Sequence, residues 1–289
     1  MGGCYCSPLR YPGGKNAIFN FMVALLKEND LFGRAYAEPY AGGAGLALRL
    51  LFNGYVSKVY INDLDRSIYA FWHTVLYDSN KFCDWIGKVQ ISTANWLYFK
   101  EVQKQRLSAD LFELAQSTFF LNRTNVSGVL TGGIIGGLNQ SGNYKIDARF
   151  NKVDLIARMQ EISKQKEKIS VTNLDGLQFI DRLEGEEQNA FVYLDPPYYL
   201  KGAKLYMNFY KKVDHERLAR RIRQMRQDWV VSYDNHQSIL NLYRRQRRVV
   251  YRLQQGTSNR IGDEVLIFGK RLRFDTALGF LHSPTLVIG

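Results

Sequence analysis

The segment from Arg34 to Asp63 sets the tightest limit on how this chain can fold. Arg34-Ala35-Tyr36-Ala37-Glu38 reads as a short buried strand, Pro39 to Gly45 as a glycine-rich turn, and Leu46 to Asn53 as a helix. Lys58 to Asn62 reads as a second strand, which stops at Asp63. This order predicts a parallel, doubly wound sheet, because a right-handed crossover lays the second strand beside the first. Sheets of this kind bind ligands beyond the carboxyl ends of their strands. The glycine turn falls at the start of the helix, where backbone N–H groups lack partners and a ligand can come close.

The remaining sequence extends this pattern and interrupts it. From about Arg66 to Gln116 it turns to helices rich in Trp, Tyr, Phe and Lys. Leu130 to Tyr144 is a glycine-rich loop too long for a simple connection, which points to a functional segment. Asp154 to Lys168 is charged and helical. Strand signals return at Ile169–Thr172, Ala190–Leu194 and Trp229–Tyr233, the last preceded by an arginine-rich helix from Asp214 to Met225. Arg248–Leu253 and Glu264–Gly269 are spaced for an antiparallel hairpin at a sheet edge. The predicted fold class is α/β: a Rossmann-like sheet domain of residues 1–65 and 169–289, carrying an inserted, mainly helical domain of residues 66–168. Trp72, Trp85 and Trp96 are expected to form the core of the insertion.

Composition narrows the class of partner. A net charge of +12 favours an anionic one, nucleic acid first among them. No apolar run is long enough to span a membrane, and Met1 to Cys6 lacks the features of a signal peptide. Three cysteines (Cys4, Cys6 and Cys83) and four scattered histidines predict reduced thiols in a cytoplasmic protein, with no metal site. A monomer is expected.

The chemistry is concentrated in Asp195-Pro196-Pro197-Tyr198, which directly follows the apolar strand Phe191–Leu194 and so lies at a strand's carboxyl end. Two prolines fix the backbone and remove two N–H donors, leaving free carbonyls between a carboxylate and an aromatic ring. Such a turn suits an amino group that is a poor nucleophile, such as that of adenine, whose lone pair is delocalised into the ring. A carboxylate and a carbonyl can accept its hydrogens and aim the lone pair outward. The aromatic ring can stack on a base swung out of a helix, returning about 1–3 kcal/mol against an extrusion cost of a few kcal/mol.

Two further segments stand out, though each, taken alone, also reads as an ordinary turn. Glu38-Pro39-Tyr40-Ala41-Gly42-Gly43-Ala44-Gly45 with Asp63 fits NAD as well as S-adenosylmethionine when taken alone; the third glycine of a GxGxxG fingerprint would fall on Leu48. Pro8 to Lys15 is a rigid turn followed by a lysine that opens a helix.

Together the three segments resemble the Dam-type (DPPY, alpha-group) family of DNA adenine-specific methyltransferases. The resemblance rests on Tyr11-Pro12-Gly13-Gly14-Lys15, Glu38 to Gly45, Ile61-Asn62-Asp63 and the Asp195–Tyr198 tetrad, in that order, with an insertion before the tetrad. Asp214 to Ala219, Val231 to Asn235 and Glu264 to Ile267 also look like family segments, so the likeness runs to about Lys270. It implies an S-adenosylmethionine-dependent enzyme that methylates the exocyclic amine of a flipped adenine in double-stranded DNA, with the insertion as target-recognition domain. Asp195 and the Pro196 carbonyl, ahead of Pro197, would hold the amino group, and Tyr198 would stack on the base. Tyr11, Lys15, Glu38, Pro39, Tyr40, Gly42, Gly43, Asp63 and Asp175 would line the cofactor.

The chain departs from the family at Gly42-Gly43-Ala44-Gly45, where Gly-Gly-Gly-Ala is commoner, and at Gly176, where Phe is commoner. Asn122 to Gly128 resembles the start of the DNA-contacting part, but Val129 to Gly142 does not follow the usual pattern. Arg123, Asn125, Lys145 and Arg149 are the expected DNA contacts. The basic helix around Arg217, Arg220, Arg221, Arg223 and Arg226 is expected to be an ordinary solvated face.

Other readings have distinct signatures. A catalytically silent DNA-binding protein on the same scaffold would not need intact cofactor and tetrad motifs. A cytosine or RNA amine methyltransferase would share the tetrad geometry. An NAD-dependent dehydrogenase is disfavoured by the missing third glycine and the lack of a hydride-transfer site.

Overall fold

The computed structural model describes residues 7–10, 15–199, 210–254 and 261–287. Tyr11 and the glycines of its turn, Cys4 and Cys6 lie outside the described residues. The chain forms two compact units. One combines Lys15–Leu64 with Thr172–Gly289; the other combines Met1–Gly14 with Asp65–Val171.

Eight strands are present among the described residues: β1 (Tyr36–Glu38), β2 (Val59–Asn62), β3 (Ile169–Thr172), β4 (Phe191–Leu194), β5 (Asp228–Asp234), β6 (Arg247–Gln254), β7 (Ile261–Phe268) and β8 (His282–Val287). Helices α1 (Phe19–Glu28) and α2 (Gly45–Phe52) come first in the chain. Then come α3 (Arg66–Tyr77), α4 (Ser79–Lys88), α5 (Thr93–Lys104), α6 (Leu111–Thr124) and α7 (Lys152–Lys164). Last are α8 (Gly176–Glu186), α9 (Lys212–Arg223) and α10 (Gln237–Leu242).

The sheet unit is a mixed α/β layer with strand order β3-β2-β1-β4-β5-β7-β6-β8. β3 joins it at Thr172, whose carbonyl accepts from the Asp63 N–H at 3.3 Å. β1 pairs parallel with β2 and β4, and β4 with β5, while β7, β6 and β8 add on antiparallel. Every residue of β1, β2 and β4 is buried, so these strands lack polar alternation in sequence, apart from Glu38 and Asn62 at the ends of β1 and β2. One core cluster joins Val192 and Leu194 of β4, Val231 of β5 and Ile267 of β7 to Leu218 and Ile222 of α9. The expected antiparallel pairing of β6 with β7 is present, with Tyr251 opposite Glu264, but it is not at the sheet edge, because β8 pairs with the outer side of β6.

Three elements of this unit were not anticipated. α8 has a readable start, since Asp175 accepts from the Leu177 N–H and forms a capping box with Gln178. α10 is short and capped by His236. β8 is exposed along nearly its whole length and contains Pro284, so it has neither the alternation nor the composition of a strand.

In the helical unit, the starts of α3, α5, α6 and α7 are capped by Asp65, Ser92, Asp110 and Asn151, each cap contributing about 1 kcal/mol. Its core is aromatic: Phe71 packs on Trp72, Phe82 and Phe119, and Phe150 on Phe119 and Phe120. Trp72 and Trp96 are buried and Trp85 half-buried, stacked on Phe82. Cys83 is a buried free thiol. Among the described residues no helix is long and apolar enough to cross a membrane, and no group of three or more His, Cys, Asp or Glu could hold a metal ion.

Candidate active site

The sheet unit gathers charged and phenolic side chains from five elements around the end of β4. Asp195 leaves β4 directly. Its Oδ1 accepts from the Ser232 hydroxyl of β5 at 2.7 Å and lies 3.2 Å from the Lys15 ammonium, which opens a 3-10 turn (Lys15–Ile18) before α1. Lys15 also donates to Glu264 Oε2 of β7 at 3.1 Å and to the Tyr198 hydroxyl at 3.0 Å. Tyr198 in turn donates to Glu264 Oε1 at 2.5 Å, and Tyr251 of β6 donates to Glu264 Oε2 at 2.8 Å. The Tyr193 and Ser232 hydroxyls lie 2.8 Å apart. Ser232 must donate to the carboxylate, so Tyr193 is the donor in that pair. Pro196 is buried and Pro197 half-buried.

The electrostatics follow from two carboxylates sharing one cation out of water. Burial raises the Asp195 carboxyl above its ordinary range and Glu264 adds to this, while Lys15 and Ser232 pull it back. For Glu264, burial is outweighed by Lys15 and the two phenols, and its carboxyl is lowered. Burial works against the Lys15 charge, but Asp195, Tyr193, Tyr198 and Glu264 hold it protonated well above its usual value. Among the described residues Oδ1 of Asp195 is doubly engaged and no hydrogen bond is drawn to Oδ2. The carboxylate is therefore fixed through one oxygen and presents the other.

The glycine-rich turn lies beside this cluster. Glu38 ends β1, 5 % exposed, and accepts from the Tyr36 hydroxyl at 2.9 Å; burial pushes its carboxyl up to about 8. Asp63 Oδ2 accepts from the Gly42 N–H at 2.9 Å, which ties the turn to the end of β2. Asn62 Nδ2 donates to the carbonyls of Pro39 and Leu174, so the turn is also linked to the segment that leads to Asp175. Gly43 is buried within the same turn. The Gly176 departure has a steric cause: a Cβ there would lie 2.3 Å from the Tyr40 hydroxyl, which pairs with Tyr210 at 2.9 Å. The tyrosine occupies the space a larger residue at 176 would need.

In the helical unit the expected DNA contacts divide in two. The Arg123 guanidinium donates to the Arg149 carbonyl at 2.6 Å and the Pro8 carbonyl at 3.3 Å. Burial, with Arg10, Arg158 and Arg149 nearby, brings its pKa down to about 10. Asn125 is fully buried; it accepts from Trp96 Nε1 at 2.7 Å and donates to the carbonyls of Val129 and Leu130 at 2.8 and 3.1 Å. Both therefore hold the loop in shape. Lys145 is exposed and donates to the carbonyls of Gln140 and Gly142, while exposed Arg149 sits 5.7 Å from the Tyr144 ring centre. The loop closes tightly at Gly136, φ 84°, where a Cβ would lie 2.6 Å from the Tyr144 carbonyl. In the sheet unit, Arg221 pairs with Asp181 and Glu184, and buried Arg248 donates to the Leu240 carbonyl.

Sequence reasoning left Tyr193, Ser232, Tyr251 and Glu264 without a role. Ser232 and Glu264 drew attention only as parts of family-like segments. An acidic pair, Asp263-Glu264, in an expected edge hairpin reads as surface; the pairing of β7 with β5 and β6 shows Glu264 to be buried.

Comparison with known proteins bears on the activity. A Type II methyltransferase of Methanocaldococcus jannaschii, M.MjaIII, is 24 % identical over 205 residues, covering 66 % of this chain and 68 % of that protein. A solved structure from Legionella pneumophila aligns with 100 % of this chain and 98 % of its own at 10 % identity, with a TM-score of 0.39. The sequence model of the D12 class N6 adenine-specific DNA methyltransferases matches residues 11–256, which takes in the glycine turn, the whole helical insertion and the tetrad. This chain is an adenine-specific DNA methyltransferase and belongs to the D12 class N6 family.

Proposed function

We propose that the enzyme moves a methyl group from S-adenosylmethionine to the exocyclic amino nitrogen of an adenine turned out of double-stranded DNA, with Asp195 and the Pro196 carbonyl as acceptors for the amine hydrogens. The observation that carries this reading is that, among the described residues, Asp195 is tethered through Oδ1, by Ser232 and Lys15. Its Oδ2 is then the oxygen for the amine, and burial makes it the more basic acceptor.

The donor set suits the cofactor. A carboxylate at the end of β2, Asp63, is the usual partner of ribose hydroxyls. Two acids against one lysine leave the cluster negative, which favours a cationic sulfonium. When bound, S-adenosylmethionine supplies an electrophilic methyl group that needs no further activation. The residues then have separable tasks. Glu38 to Gly43 and Asp175 shape the cofactor side, Pro196 and Asp195 draw the amine toward tetrahedral geometry, and Oδ2 takes the proton the amine sheds once it is methylated. Tyr198 is anchored through its hydroxyl, so its ring is held in one plane for the base. Lys15 supports the carboxylate at the centre of this cluster. The helical unit reads the target sequence, with Lys145 and Arg149 as its phosphate-facing cations and Arg123 and Asn125 as the residues that shape the loop presenting them.

The test is transfer of labelled methyl from S-adenosylmethionine to unmethylated genomic DNA, followed by nucleoside digestion and single-molecule sequencing. N6-methyladenine in one short motif is the expected product. Label on cytosine, or label on RNA alone, would overturn the assignment of base and substrate.

A further inference from the structure

We propose that Glu264 is a positioning residue of the methyl-transfer site, fixing the Tyr198 ring and, through Lys15, the Asp195 carboxylate. The inference rests on the reading of Asp195 as the amine acceptor. Glu264 lies on the antiparallel part of the sheet, with Tyr251 of β6 and Asp234 of β5 as its cross-strand neighbours. It is 2 % exposed and takes three donors: Tyr198 on Oε1, and Lys15 and Tyr251 on Oε2. Lys15 in turn has three acceptors for its three ammonium hydrogens: Asp195, Glu264 and Tyr198. Lys15, Tyr198 and Glu264 thus form a closed triangle, and among the described residues the bond that leads out of it from Lys15 goes to Asp195.

A sheet needs no such group to hold together. Apolar side chains of similar volume in place of both Glu264 and Lys15 would pack without the cost of desolvating an acid and a lysine. What the acid adds is placement. It fixes where the ammonium sits, and so which oxygen of Asp195 the ammonium engages. It also divides the lysine's attraction between two carboxylates, so Asp195 is less completely neutralised than in a simple ion pair.

Asp195 is faced by Lys15 ahead of α1, Tyr36 and Glu38 of β1, Tyr193 of β4, Tyr198, Ser232 and Tyr233 of β5, Tyr251 of β6 and Glu264 itself. Neutralising Glu264 removes a repelling charge and leaves the lysine to Asp195 alone. Asp195 then holds a proton less tightly, and the acid limb of kcat against pH moves to lower pH. Deleting the Ser232 hydrogen bond moves that limb the opposite way.

The experiment compares wild type with E264Q, E264D, S232A and D195A, using genomic DNA and labelled S-adenosylmethionine, with cofactor affinity measured separately. The expected result is a fall in kcat of about tenfold or more in E264Q at nearly unchanged cofactor affinity, with the acid limb displaced downward. E264D should recover part of the rate, and S232A should displace the limb upward. Wild-type kcat and an unmoved limb in folded E264Q would overturn the proposal. If E264Q does not fold, Y198F carries the test, since it deletes the bond to Glu264 and keeps the ring: a lowered kcat supports the proposal and a wild-type kcat overturns it. Activity in D195A would instead refute the underlying reading of the site, and the two failures are separable.

Discussion

The tetrad cluster of the sheet unit and the glycine-rich loop of the helical unit both bind cations of their own, by opposite means. Lys15 is bound by the side chains of Asp195, Tyr198 and Glu264, which come from distant parts of the sequence. Arg123 and Lys145 are bound by backbone carbonyls, those of Pro8 and Arg149 for the first and of Gln140 and Gly142 for the second. The first arrangement fixes charge against charge and so tunes the basicity of one acid. The second uses charge to satisfy the carbonyls of a loop that has little secondary structure to satisfy them. One region fixes charges around a single carboxylate, and the other fixes the shape of a loop.

The largest effect expected from this contrast is at Asp195. Asp195→Ala should lower the transfer rate by about 10²–10³-fold or more, the cost of losing one preorganised polar contact at a reacting atom. Single-turnover assays check this, and near-normal turnover would place the chemistry elsewhere. The same substitution should leave the melting temperature almost unchanged or raise it, because it removes one of two carboxylates competing for a single lysine.

Asn125 should show the reverse pattern. Asn125→Ala leaves the Trp96 indole N–H and two carbonyls without their partner, and a buried unsatisfied group costs about 1–3 kcal/mol. Denaturant unfolding should register that loss, with DNA affinity falling along with it and cofactor affinity untouched. Full stability in the variant would mean that the loop does not depend on Asn125, and the contrast with the tetrad cluster would fail.

How much of each region could be read in the sequence follows from the same difference. The parallel strands were legible because burial on both faces leaves largely apolar runs, as at Phe191–Leu194, and Asp63 and Asp195 do follow the ends of such strands. Lys15 stood out in the sequence as a candidate, but its pairing with Asp195, Tyr198 and Glu264 was not legible. Ser232 and Glu264 were not legible, because their roles arise from strand pairing between β5, β6 and β7. In the loop, residue type pointed to DNA for Arg123 and Asn125, but sequence carries no signal that a cation or amide will turn inward to its own backbone.

Glu38 offers a pH test of burial near the cluster. Burial is the main cause of its rise from 4.5 to about 8, with Asp195 adding to it and Tyr36 and the Ala47 N–H opposing it. The folded state binds this proton more tightly than the unfolded chain does. The stability it contributes is therefore complete below about pH 4.5 and is lost as pH rises through about 8. Glu38→Gln keeps an acceptor for Tyr36 and removes the titration, so melting temperature against pH should fall less steeply over that interval. Parallel curves for the two proteins would show that Glu38 is already ionised in the folded state.

On the loop, Arg149→Ala and Arg123→Ala should separate contact from shape. Arg149 is exposed, and losing one phosphate contact should reduce the slope of log affinity against log salt by about one. Arg123→Ala should weaken binding with little change in slope, because its charge is turned toward the Pro8 and Arg149 carbonyls. A reduced slope in Arg123→Ala would make it a direct contact and bring the loop closer in kind to the tetrad cluster.

The smallest effect concerns backbone strain, which both regions carry. Ala44, at the N-cap of α2, has φ 46°, while Ser127 and Gln140 of the loop have φ 57° and 51°. A left-handed non-glycine residue costs about 1–2 kcal/mol. Replacing Ala44 by glycine would relieve that, but it adds about 0.5–1 kcal/mol of unfolded-chain entropy and removes a buried methyl group contributing about 0.8 kcal/mol. These terms nearly cancel, so Ala44→Gly should shift stability by less than about 1 kcal/mol. Ser127 is only half-buried, so Ser127→Gly loses less packing and should be the more favourable of the two exchanges. Unfolding curves for both variants decide the matter. A loss above about 2 kcal/mol in Ala44→Gly would show that the Ala44 methyl group, 1 % exposed, contributes more packing than its area accounts for, as a cavity in a tightly packed turn would.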